Sequence, residues 1–415
     1  MQPDAFVETG PHGGLPAPVW FILLFKALGF TLHEVPMNLW YAGILVAIVL
    51  TVIGSEHGRR FSCRLMGQMP VIVALGINFG IVPLLFLQLG FARVFYPATI
   101  LMAWTWLGVI ALLIPAYYGV YAYAFGLGRG TGMAVWSRAC GHLAAGLFLC
   151  IGFVFANAMS LMENIGAWHD LWQRHSANGA ALGTALNLGD PRLVPRWLLM
   201  FGLALTTTAV WAALDAGWFG SRESASYRRW ATRFSLKLYT AGTVWFVVAG
   251  AWYAFGTWSP VTRQAMFAAP WIVLTALTVL APAGPWLILW VAGRKEGEPG
   301  RGLATLAGLA QLGVLGLNAA SRQVVQHLEI RPYLDVTRHA TAVAWAPLAF
   351  FLVLLVLGLA TVAWLVRQVA LLPGETGEGE PARPGSPGGS GADERSEVPP
   401  TSRCPDRPEG DLPAS

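Results

Sequence analysis

Charge is scarce in this chain. Asp, Glu, Lys and Arg make up 12% of 415 residues, hydrophobic residues 55%, and mean hydropathy is +0.54. A soluble domain carries roughly twice that charged fraction, so a water-exposed globule is excluded. Cysteine is scarcer still: Cys63, Cys140, Cys150 and Cys404 show no CxxC or CxxCH spacing. Covalent c-type haem, structural zinc and iron–sulfur clusters therefore lack their minimum ligand pattern. There is no HExxH helix, no phosphate-binding glycine loop and no recognisable nucleophile–base pair. The pI near 9.2 comes from Arg at the edges of apolar runs, not from a basic stretch interleaved with aromatics, so no nucleic-acid partner is indicated. Met1–Leu15 has no basic n-region, and a cleaved signal is not expected.

What the chain has is apolar length. A bilayer core takes roughly 20 apolar residues per helix, and about nine runs meet that length: Phe30–Ile53, Pro70–Leu89, Thr99–Phe125, Trp136–Met162, Leu193–Phe219, Leu236–Phe255, Phe267–Ala292, Leu303–Val325 and Val343–Val366. The fold expected is an all-α, polytopic membrane bundle with its N-terminus outside. Arg and Lys concentrate in one alternate set of loops, at Arg59, Arg60 and Arg64, at Arg228, Arg229, Arg233 and Lys237, and at Arg294 and Lys295. The denser set faces the cytoplasm. Residues 1–29 form an N-terminal segment in which Ala17–Gly29 is either an interfacial helix or an extension of the first span. Residues 30–372 are the transmembrane domain. Residues 373–415 turn to Pro, Gly, Glu and Ser and are expected to be a disordered cytoplasmic tail. No long-period internal repeat is evident.

Ionisable groups inside a span are costly and are kept for a partner, a water-filled cavity or a metal. The first span holds His33 beside Glu34, followed by Pro36 and Met37. Imidazole is the usual axial ligand of a protein-bound haem b, and thioether is a common second one. The alternative for His33 is a hydrogen-bonded packing residue. Met37 shares its helix face, but two ligands on one helix cannot clamp both faces of a flat macrocycle. By depth, Met200, Met159, Met162, His327 and His339 all lie toward the same side as His33. Arg322, Arg331 and Arg338 stand there too, as cationic partners for haem carboxylates. Asn157, Ser160 and Asn164 form one helical stripe, expected to bond across helices.

The first half of the chain resembles subunit I of the cytochrome bd quinol oxidases. The likeness rests on Thr31-Leu32-His33 ahead of a proline, on Gly76-Ile77-Asn78-Phe79 with Gln88-Leu89-Gly90, and on Ala156-Asn157 followed by Met162-Glu163-Asn164. It covers roughly the first 200 residues. The resemblance implies a haem b in the outer leaflet with His33 as its ligand, in the inner (cytoplasmic) membrane. It also implies electron exchange with a cytochrome c or a second respiratory membrane subunit. Three features depart from that family. Thr99–Phe125 contains no acidic residue, the start of the fifth span offers Met200 where a histidine is expected, and Gly256–Met266 is too short for a folded quinol loop. A haem-free membrane scaffold and a proton-coupled transporter titrating Glu34 are the rival readings.

Overall fold

In the computed structural model, residues 14–129, 133–220, 223–294 and 300–371 are described. The expected tail, 373–415, lies outside them, as do residues 1–13 of the N-terminal segment. The chain is an all-α bundle. Among the described residues, eight helices are long and apolar enough to cross a bilayer. They are α1 (Val19–Ile53), α2 (Glu56–Leu101), α3 (Ala103–Gly128), α4 (Val135–Glu163), α6 (Leu193–Phe219), α7 (Ala225–Gly256), α9 (Ile272–Arg294) and α10 (Arg301–Ile330). Two short helices, α5 (Trp168–Arg174) and α8 (Pro260–Met266), cross the turns between them. The last helix, α11 (Trp345–Leu371), contains a shorter apolar stretch, Trp345–Thr361, within the ninth run read from sequence. The only sheet among the described residues is a two-residue hairpin, β1 (Ser176–Ala177) and β2 (Ala180–Ala181).

Ala17–Gly29 proves to extend the first span, since α1 begins at Val19 and runs through it. Nothing in Val19–Phe30 breaks a helix, and Ile22 is fully buried among neighbouring helices. Residues Leu39–Gly43 widen into a π-helical turn. Pro36 sits just before it and has no N–H to give to the carbonyl one turn back. Such turns recur at functional sites because they redirect side chains. In α2, Phe91 leaves the helical region (φ −125, ψ 26), dividing 46 residues into a long helix and a shorter one. The residues just before α1 are tied by backbone to those just before the last helix, Leu15 N–H donating to the Ala340 carbonyl at 2.7 Å and Ala342 N–H to that of Leu15 at 2.9 Å.

Ionic clusters close both ends of the bundle. At the end that the arginine distribution assigns to the cytoplasm, Arg64 spans Asp215 (2.8 Å) and Glu223 (3.0 Å). Arg60 also pairs with Glu223 at 3.0 Å, and the Tyr227 hydroxyl donates to Asp215 at 2.7 Å. At the opposite, outer end, Arg192 bridges Asp190 (2.9 Å) and Glu329 (2.8 Å). The Asn157–Ser160–Asn164 stripe bonds chiefly to a loop: Asn157 accepts from Asn187 N–H at 2.8 Å, Ser160 donates to Asp190 at 2.6 Å, and Asn164 reaches Asn187 at 3.4 Å. Five polar groups thus pin the loop before α6 against α4.

Burial would push the Asp190 carboxyl up, but hydrogen bonds and charge from Arg192, with the Ser160 bond, outweigh it and hold Asp190 below its ordinary range. A carboxyl depressed in the folded state adds stability above its unfolded pKa and loses it as pH falls toward the folded one. The outer end is therefore expected to loosen as pH drops below about 4. Thermal melts of wild type should fall between pH 5 and pH 3 more than those of Asp190→Asn, which is already weakened at pH 5.

Candidate functional site

A cavity of about 300 Å³ lies at the junction of α1, α2, α3, α4, α6 and α10, and His33 lines it. On α1 the lining residues Lys26, Phe30, His33 and Met37 recur at helical spacing, so one stripe of the helix faces inward. Beyond the π-turn Trp40 and Tyr41 continue the wall. Trp40 stacks on Phe148 of α4, with ring centroids 5.5 Å apart and planes 14° apart, which gives the deep end a flat aromatic face. Ile77 and Ile81 of α2 line the cavity while being 39% and 49% exposed, so it communicates with the lipid-facing surface there.

Two glycines let α1 come this close to α2. A Cβ on Gly76 would sit 2.2 Å from the Trp40 ring, and one on Gly80 would sit 2.9 Å from His33 Cε1. The same stretch orients the imidazole, for His33 Nδ1 lies 2.8 Å from the Gly76 carbonyl. A carbonyl only accepts, so Nδ1 carries the proton and Nε2 keeps its lone pair. Nε2 has no hydrogen-bond partner among the described residues. A ring nitrogen fixed by a backbone carbonyl, with the other left open, is how metal-ligating histidines are held. Gly80→Ala is expected to tilt this ring by a few tenths of an ångström or more. It should weaken ligand affinity about tenfold while shifting the melting temperature by only a few degrees, read by ligand titration and a melt on one sample.

The sequence-derived candidates divide by position. His33, Met200 and Arg322 line the one cavity, together with Met159 and Met37. The Met159 thioether faces the Gln326 amide at 3.9 Å, whereas no hydrogen bond engages that of Met200 among the described residues. His327, His339 and Arg331 are not in the lining. They gather about Asp335 on the outer surface: His327 Nε2 at 3.9 Å, Arg331 Nε at 3.4 Å and Arg338 Nε at 3.3 Å from its carboxylate, and His339 Nδ1 at 3.2 Å from its carbonyl. The Asp335 carboxyl is held below its usual range, first by the Thr337 hydroxyl bond at 2.5 Å.

The cavity's outer end is cationic in a way the sequence did not bring together. Lys26, Arg196 and Arg322 all reach it, with Gln323 and Gln326 between them. Arg196 pairs with Glu163 and with the Tyr253 hydroxyl through Nη2, while its buried Nη1 has no partner among the described residues. Gln323 Nε2 and Glu34 Oε2 are likewise buried without hydrogen-bond partners among the described residues. The inward stripe of α1 could have pointed to Lys26. Nothing local marks Arg196, whose role depends on how α6 is rotated.

No known family model matches the chain, and no curated protein matches it significantly. Among the described residues no three His, Cys, Asp or Glu side chains converge as a metal-ion site. A haem asks less of the protein, since the porphyrin supplies four donors and the chain only one or two. The residues present suit such a group. They offer an open imidazole nitrogen, a thioether, a flat aromatic wall, and buried donors without partners among the described residues.

Proposed function

We propose that the chain is a cytochrome bd-like membrane subunit that binds haem b in the outer leaflet and takes part in respiratory electron transfer. The observation that carries this is His33: its Nδ1–H donates to the Gly76 carbonyl and its Nε2 has no partner among the described residues, in a cavity walled by Trp40, Phe148 and Met200. His33 would be the axial ligand, with the Gly76 carbonyl fixing its tautomer and raising its basicity. Met200 would be a second residue to hold the group, because it comes from another helix and its sulfur makes no hydrogen bond among the described residues. A bound haem would supply one-electron storage, and the protein's part is ligation, a dry pocket and control of potential. The partner exchanging electrons at the outer face would be a cytochrome c or a second membrane subunit, in the inner membrane.

Titration of haem into the purified, haem-depleted protein tests this. A saturable shift of the Soret band at one haem per chain is expected, and a shift no larger than that given by empty detergent micelles would refute it. A haem-free scaffold would give the second result.

A further inference from the structure

We infer that the outer end of the His33 cavity is an acid-binding site, in which Lys26, Arg322, Arg196 and Gln323 receive the carboxylates of the cavity's occupant. The inference rests on the haem reading, because haem b is a planar ligand with two carboxylates at one edge. Three helices bring these groups together. Lys26 lies seven residues toward the outer end from His33, about 10 Å of helix rise. Arg196 is in the first turn of α6, and Arg322 and Gln323 are in the last third of α10.

The electrostatic balance of the protein alone is incomplete here. Arg192 is satisfied by Asp190 and Glu329. Arg196 has Glu163 and the Tyr253 hydroxyl but keeps one buried nitrogen without a partner among the described residues. Lys26 Nζ donates a hydrogen bond to a neutral amide oxygen, Gln326 Oε1, and lies 4.2 Å from the centre of the Phe91 ring. Arg322 rests over Phe30 at 4.1 Å and has no hydrogen-bond acceptor among the described residues. Three basic side chains therefore share this end with two carboxylates, Glu163 and Glu34, and of these only Glu163 is bonded to one of them, Arg196, among the described residues. Uncompensated charge within a bilayer is costly and marks a ligand. An occupant with two carboxylates supplies the missing acceptors, since charge-assisted bonds to Arg and Lys are the strongest available. Arg331 and Arg338 are spent on Asp335 and are not needed.

The same donors would also take the phosphate of an anionic lipid, and the experiment separates the two sources. Full-length protein in nanodiscs of zwitterionic lipid is titrated with haem b and with its dimethyl ester, whose acid groups are masked. The titrations are repeated with anionic phospholipid added, and with Arg322→Gln and Lys26→Gln, neither of which removes an ion pair. Wild type should bind haem about ten- to a hundredfold more tightly than the ester. Each variant should lose most of that preference while keeping its affinity for the ester, and anionic lipid should leave the haem affinity unchanged. Equal affinities for haem and ester in wild type, with a His33-dependent Soret band in both, would overturn this inference and leave the haem reading standing. Failure of either compound to give a His33-dependent band would sink both. Loss of haem binding in proportion to added anionic lipid would assign the cations to lipid phosphate instead.

Discussion

His33→Ala is expected to abolish haem binding, leaving the purified protein without a Soret band while its helix content and melting temperature stay near those of wild type. The imidazole is half-buried and makes one hydrogen bond, to Gly76. Removing it costs the fold about 1 kcal/mol, the net value of such a bond. The proposed iron–nitrogen bond has no substitute on α1, because Met37 lies a turn deeper toward Trp40. Imidazole added to the medium should restore part of the band, since the space left by the ring still faces the cavity. Met200→Ala should act differently, retaining haem but altering its spectrum and raising its affinity for external ligands. If His33→Ala keeps a full haem complement, His33 is not the ligand, whatever else binds.

The second large effect concerns stability. Asp215 is 1% exposed and accepts from Arg64 at 2.8 Å and from Tyr227 at 2.7 Å. Asp215→Ala leaves a buried hydroxyl and one side of a guanidinium unpaired. Breaking a buried pair from one side costs about 3–5 kcal/mol, and the lower figure is expected because Arg64 keeps Glu223. Asp215→Asn preserves an acceptor for Tyr227 and should cost about half as much. Unfolding in mixed micelles measures both. This cluster ties α2 to α6 and α7 at the end opposite the cavity, so haem affinity below the melting temperature should not change. A variant as stable as wild type would show the cluster to be a solvated surface pair.

These two sites differ in how legible they were. The bundle followed from length alone, because a run of some 20 apolar residues has few other uses. The structure corrected its extents: α1 starts at Val19, the second run sits inside a 46-residue helix broken at Phe91, and the ninth run holds only a shorter apolar stretch. Lys26 looks like an interfacial charge until Gln326 and Phe91 are seen around it. His33 stood out because a titratable ring in an apolar run is rare. Its partner did not, for Gly76 is 43 residues away and contributes a carbonyl, which every residue has. The cationic partners depended on helix rotation. Arg322, Gln323 and Gln326 define the inward face of α10, and His327 stands about a quarter turn off it. There it meets Asp335, a contact set by the loop after α10 that no periodicity reports.

The most direct measurement is a reduced-minus-oxidised visible spectrum of the full-length protein, purified from cells supplied with haem precursor. The proposal predicts an α-band of haem b on dithionite reduction, at one haem or more per chain. A colourless protein, correctly folded by its melt and with its cavity intact, would contradict it.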